Sequence, residues 1–305
     1  MPNIINICSF EDEALQIYRN CNEAQLLHYF EPNGGLFIAE SPMVVERALD
    51  TGYRPFSMLI DERLLKTANN ADITQLLARC GDIPIYCGNE TLLGQLTGYK
   101  LTRGMLCAMY RKALPAVGEI CENASRIAVL YDVENPTNVG AIFRNAAALG
   151  IDAVLLTRSS SDPLYRRSLR VSLGTALMLP WTIFETVQNP FPSSTNKHDL
   201  ETTATDCIDG SGKDSGTCID MLRRLGFTTV AMALCENAVT PDDPVLKNCG
   251  KAAIILGNEG FGLPEEVIAE CDHTVMIPMQ NGVDSLNVAA ASAIAFWEFV
   301  KGLSD

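Results

Sequence analysis

The chain has 305 residues, 47% of them hydrophobic, and a formal net charge of −14. That length buries a sizeable core and fits two domains, and no apolar run reaches the length of a membrane span. The acidity argues against a surface that grips phosphate throughout, but charge contacts are short-ranged and screened, so a local basic groove stays open.

Residues 1–113 alternate β and α. A short strand over 4–8 precedes an amphipathic helix over 13–29. GLFIAE reads as a strand over 35–40, and the next helix is capped by Ser41 and stopped at Gly52. PFSMLID is a strand over 55–61, ERLLKTANNADITQLLARCG is helical, and IPIYCG is a strand over 83–88. A short helix over 90–94 and a strand over 104–110 complete a small α/β/α sandwich.

LPAVGEICENA, residues 114–124, reads as a linker. The second domain, 125–305, opens with a strand over 126–132, a helix over 138–149 and a strand over 153–156. A helix over 163–173 follows, then strands over 176–179 and 181–184. Residues 188–217 are polar, rich in turn formers and nearly free of aliphatic side chains, the composition of a disordered insertion. The pattern resumes with a helix over 218–225 and strands over 228–234, 252–256 and 274–277. A last helix over 288–302 carries Ala290, Ala293, Ile294, Trp297 and Val300 at helical spacing, a stripe for the core or a subunit interface.

Eleven cysteines occur without a CxxC pair, and His28, His198 and His273 stand far apart. Neither a zinc site nor a disulfide framework is expected, and free thiols fit a reducing cytoplasm. The first residues lack the basic-then-apolar order of a signal peptide. Around Arg158–Arg170 the charge reverses: Arg158, Arg166, Arg167 and Arg170 face only Asp162. Spacing i, i+4 sets Arg166 and Arg170 on one helical face, a candidate RNA-facing patch with Arg167.

Three stretches concentrate Gly, Asn and polar residues at strand ends: NPTNVGAIFRNAAALG (135–150), ILGNEGFGLP (255–264) and IPMQNGVDSLNVAAA (277–291). GNEGFG is not GxGxxG, and it comes late in the chain, where a dinucleotide fingerprint would open a βαβ unit. Read alone, Asn138 is a helix N-cap, Arg144 a surface charge, and Ile277 and Leu286 are core. Ser285 has no nearby His signal and is no candidate nucleophile.

In this order the three stretches resemble the motifs of the SpoU (TrmH) family, ribose 2′-O-methyltransferases of the SPOUT class. The resemblance runs over about residues 125–303. It implies an α/β fold with a C-terminal trefoil-knotted domain, and a homodimer that buries the last helix. S-adenosylmethionine would be held through main chain at Gly257, Ile277 and Leu286, with Leu256, Pro278 and Met279 completing the pocket. Arg144 matches the family's catalytic arginine and Asn138 an essential asparagine. Glu259 is expected to orient one of these two, and Ser285 and Asn287 to tie the second and third loops together. Residues 1–113 are similar to the ribosomal-protein-like RNA-binding domain of many relatives, with Glu40-Ser41 where Glu-Gly is usual. Asp284 and Asn135 are milder departures. The expected activity is methylation of ribosomal RNA, without a metal or a membrane. The alternatives are a tRNA methyltransferase and a non-catalytic RNA-binding factor that retains the fold.

Overall fold

The computed structural model of the protein describes residues 3–9, 11–66, 71–98, 100–184, 216–247 and 249–300. Among the described residues eleven strands form two sheets. They are β1 (Asn3–Asn6), β2 (Leu36–Glu40), β3 (Pro55–Asp61), β4 (Pro84–Gly88), β5 (Met105–Tyr110), β6 (Arg126–Leu130), β7 (Ala153–Leu156), β8 (Trp181–Ile183), β9 (Thr228–Met232), β10 (Ala252–Leu256) and β11 (His273–Val275). The N-terminal sheet has the order β1-β4-β3-β5-β2, with β2 and β5 antiparallel to their neighbours. The C-terminal sheet, β11-β9-β10-β6-β7-β8, is parallel throughout.

The apolar runs explain the second sheet. AAIIL and RIAVL have no polar alternation because both faces are covered. Successive residues still point to opposite sides. Ala128, Leu130, Ile254 and Leu256 join one core with the helices Pro136–Ala148 and Val288–Val300. Ile127, Val129, Ala253 and Ile255 join the other, under the helices Val117–Cys121, Cys218–Arg224 and Glu265–Glu270. The first of these cores runs on into the N-terminal sheet through Val44, Val45, Phe37 and Ala39. The halves are also joined by Arg111 to Asp162 at 2.8 Å and Arg170 to Glu40 at 2.5 Å.

Register sets the functional edge. Leu256 pairs with Leu130, and Tyr131 N–H donates to Leu256 C=O at 2.8 Å. The loops after β6 and β10 therefore leave the sheet side by side.

Several expected elements differ. The helix over 13–29 is broken into Glu13–Leu15, Gln16–Arg19 and Glu23–Leu27. The break falls at Asn22, whose side chain accepts from Gln25 N–H and restarts the helix through a capping box. Residues 176–179 are no strand but follow a 3-10 turn at Thr175–Leu177, because Leu173 and Gly174 carry φ of 54° and 81° and turn the chain. The arginine helix is shorter than 163–173, spanning Arg166–Val171. The segment 114–124 is not all linker: Val117–Cys121 is helical, and Cys121 and Ala124 are buried in the core of the second sheet. Of the expected insertion at 188–217, residues 188–215 lie outside the described residues, and Thr217 caps the helix Cys218–Arg224. The last helix buries Ala289, Ser292, Ala295, Phe296 and Phe299. Most of the stripe picked from spacing is its outer face, with Trp297 56% exposed.

Candidate active site

Four parallel strand ends, those of β6, β9, β10 and β11, feed the loops that form the site. Crevices beyond the carboxyl ends of such strands are where α/β sheets take ligands. Here a cleft of ≈ 410 Å³ is lined by Leu256–Leu263, by Met232–Leu234, and by Ile277, Met279, Ser285, Leu286 and Asn287.

The hub is Glu259. Its Oε1 accepts from Asn138 Nδ2 at 2.9 Å and from Asn135 N–H at 3.1 Å, and its Oε2 accepts from Glu134 N–H at 3.3 Å. Two of these donors lie at the start of the helix Pro136–Ala148, where a carboxylate is favoured by the helix dipole. Asn138 Oδ1 in turn accepts from Asn287 Nδ2 at 3.1 Å, and Asn287 Oδ1 accepts from Ala289 N–H at 3.0 Å to start the last helix. One chain of hydrogen bonds thus links all three sequence motifs. Charge-assisted members of such a chain are worth more than neutral ones.

Asn138 is therefore no helix cap. Asn135 caps this helix, with Pro136 at its first position, and Asn138 sits in the first turn, 7% exposed. Arg144 comes two turns later, exposed, and makes no hydrogen bond or ion pair among the described residues. Glu259 orients Asn138 and does not touch Arg144. Asn287 ties the third motif to the first, whereas Ser285 is exposed and without a hydrogen bond among the described residues. Pro278 is exposed and outside the cleft lining.

The arginine helix packs on the helix Pro136–Ala148 at Gly140, where a Cβ would come 2.5 Å from Ser168 C=O. Arg166, Arg167 and Arg170 do not form one open patch. Arg170 donates to Glu40 of β2, Arg166 N–H donates to Glu23 at 3.0 Å, and Arg167 Nε donates to Thr137 Oγ1 at 3.0 Å. Burial raises the Glu23 carboxyl above its ordinary value against the pull of Arg166.

Three contributors escaped the sequence reading. Asn258 holds the second loop, its Oδ1 accepting from Gly260 N–H and its Nδ2 donating to Asp132 C=O, both at 2.8 Å. The Asn-x-Gly pattern of an Asx turn was the available signal. Asn145 donates to Ala289 C=O at 2.7 Å and Ser292 Oγ at 3.0 Å, joining two helices distant in sequence. Met232–Leu234 line the cleft because β9 ends beside β10.

The donor set fits a nucleoside-sized ligand. Gly257 is buried, and a Cβ there would lie 2.5 Å from Gly262 C and 2.6 Å from Leu263 N, so this close turn takes only glycine. The main chains of Ile277 and Leu286 make no hydrogen bond among the described residues, which leaves donors and acceptors beside apolar walls. Burial pushes the nearby thiols Cys218 and Cys271 up to about 11 and about 12, so neither is a thiolate nucleophile. Among the described residues no His, Cys, Asp or Glu group could hold a metal, and no helix is long and apolar enough to cross a membrane.

These features define an α/β protein with a cleft beyond the carboxyl ends of a parallel sheet. The comparisons specify it further. The model of the SpoU rRNA Methylase family matches residues 125–297, and the chain belongs to that family. It is 32% identical over 297 residues to an uncharacterized tRNA/rRNA methyltransferase of Mycobacterium tuberculosis, covering 97% of this chain and 91% of that protein. It is 28% identical to the 23S rRNA (guanosine-2′-O-)-methyltransferase RlmB of Vibrio vulnificus over 60% of this chain and 62% of that one. The AdoMet-bound rRNA methyltransferase of Sinorhizobium meliloti shares the fold, with a TM-score of 0.73 at 20% identity over 99% of this chain and 100% of that one. Membership makes the protein an RNA methyltransferase with S-adenosylmethionine as its cofactor.

Proposed function

We propose that the protein methylates a ribose 2′-hydroxyl of RNA, with ribosomal RNA as substrate. The observation that carries this reading is the bridge Glu259–Asn138–Asn287, which draws the three motifs together beside one cleft. The guanosine-2′-O- activity in the name of the similar RlmB supports the ribose as acceptor.

S-adenosylmethionine bound in the cleft supplies an electrophilic methyl group. Gly257, Ile277 and Leu286 hold it through main chain, with Leu256 and Met279 as apolar walls. Asn138 and Asn287, fixed by Glu259, shape the place where the hydroxyl arrives, and positioning of this kind removes a large part of a barrier. Arg144 cannot serve as the base, because guanidinium keeps its proton. It grips the substrate phosphate bidentately and stabilises the developing alkoxide, while the proton leaves to that phosphate or to water. Ser285, with its hydroxyl uncommitted, hydrogen-bonds the ligand. Arg167, beside Thr137 at the same helix start, adds a second phosphate contact.

The motif-bearing segment 255–291 is the part that would thread the trefoil knot. The exposed Ile294 and Trp297 on the last helix would meet a second copy of the chain in a homodimer. The N-terminal α/β unit would guide structured RNA to the cleft.

The test is methyl transfer from radiolabelled S-adenosylmethionine to unmodified ribosomal RNA and tRNA transcripts, followed by nucleoside mass spectrometry. A 2′-O-methylnucleoside in ribosomal RNA is expected. Label on a base, or on tRNA alone, overturns the corresponding part of the reading. Calorimetry of Leu286→Arg, expected to lose cofactor binding that the wild type retains, tests the location.

A further inference from the structure

Of the large apolar side chains that line the cleft, one stands out as almost uncovered among the described residues. Phe261 is 88% exposed, and it is the only aromatic among the residues that line the cleft. Its loop is built to hold it still. Asn258 Oδ1 accepts from Phe261 N–H at 3.2 Å as well as from Gly260, and Asn258 and Gly262 exchange main-chain bonds of 3.1 and 3.0 Å across the loop. Asn258 is itself moored to Asp132 C=O. A ring with two side-chain torsions on a tethered backbone loses little entropy when a ligand covers it.

The loop position sharpens this. Two residues before Phe261, Glu259 is fixed to Asn138. The main chain that carries the ring thus keeps a constant offset from the groups that place the ribose. The exposed Ile294 and Trp297 lie on another element and do not account for it. A ribose presented to the cleft brings its base along, and base faces stack on aromatic rings without regard to sequence.

We infer that Phe261 is the platform on which the base of the target nucleotide stacks. It is a positioning residue, and the inference rests on the ribose-methylation reading above. Phe261 fixes where the nucleotide lies, and it does not select which base is taken.

The experiment compares wild type with Phe261→Ala, Phe261→Leu and Phe261→Trp. Unmodified 16S and 23S ribosomal RNA transcripts and labelled S-adenosylmethionine serve as probes. The variants' cofactor affinity is measured by calorimetry and their oligomeric state by light scattering. Removal of a stacked ring is expected to raise the KM for RNA about tenfold or more. Phe261→Leu should behave like Phe261→Ala, Phe261→Trp should restore the wild-type value, and cofactor affinity and subunit number should stay unchanged. An unaltered KM in Phe261→Ala overturns the inference alone, as does a loss confined to cofactor binding or to self-association. Rescue by Leu overturns it too, since that would show plain apolar contact. A wild type that transfers no methyl group to ribose overturns the inference together with the reading beneath it.

Discussion

Two sets of side chains from the three motifs differ in what they spend their bonding capacity on. Glu259, Asn138, Asn258 and Asn287 are committed to one another and to the main chain. Arg144, Ser285 and Phe261 are exposed and offer their functional groups to solvent. The first set fixes geometry, because its members satisfy one another around the buried Asn138 amide and the network settles into one arrangement. The second set has no hydrogen-bond partner for its side chains among the described residues, which is how groups reserved for a ligand look. Substitutions should therefore separate cleanly: damage to the first set is felt by the fold and the site together, damage to the second by the reaction alone.

Glu259→Ala should have the largest effect. It leaves Asn138 Nδ2 and the N–H groups of Glu134 and Asn135 without their acceptor, at about 1–3 kcal/mol for each donor that stays dry. Calorimetric melting should drop by several degrees and methyl transfer should fall to background. Arg144→Ala should lower the rate about 10²–10³-fold, as when one stabilising donor is withdrawn from a transition state, with no change in melting. A maximal rate retained in Arg144→Lys, with only RNA affinity reduced, would instead make Arg144 a binding residue. Gly257→Ala should weaken cofactor binding about tenfold or more by calorimetry, because its Cβ meets main chain of Gly262 and Leu263 and the loop must move.

The smallest effect concerns pH and falls outside the cleft. Burial raises the Glu23 carboxyl above its ordinary value of 4.5, with the hydrogen bond from Arg166 opposing. The folded state then holds a proton that the unfolded state has released. Its stabilising influence is complete below the ordinary value and fades as pH rises through the raised one. Glu23→Gln abolishes the titration and can still accept from Arg166 N–H. Its melting temperature should gain on wild type between pH 4 and pH 7. A constant difference across that range would show that Glu23 titrates normally.

The sequence disclosed these regions unequally. Strands such as AAIIL and RIAVL were legible because a doubly covered parallel strand writes its burial as an unbroken apolar run. The three motifs were legible as a resemblance, and most of their residues gather at one cleft. The roles inside it were less so. Asn138 was mistaken for a cap because the helix begins at Pro136, although Asn-Pro was a visible start signal. The arginines of 166–170 could not be read at all: Glu40 and Glu23, which engage them, lie more than a hundred residues away. Contacts between distant segments leave no local trace. The same holds for Asn145, whose partners are on the last helix.

The core that continues from β2 and the helix Pro42–Asp50 into the parallel sheet has a consequence for how the molecule comes apart. Halves that share apolar surface cannot melt independently, so heating should give one cooperative transition and hydrogen exchange should report comparable opening energies for β2 and β6. A fragment starting at residue 114 would expose the patch that Val44 and Arg47 now cover and should aggregate. The minimal unit that survives proteolysis is the pair of sheets, and recombination of either half with a foreign partner would have to rebuild this seam.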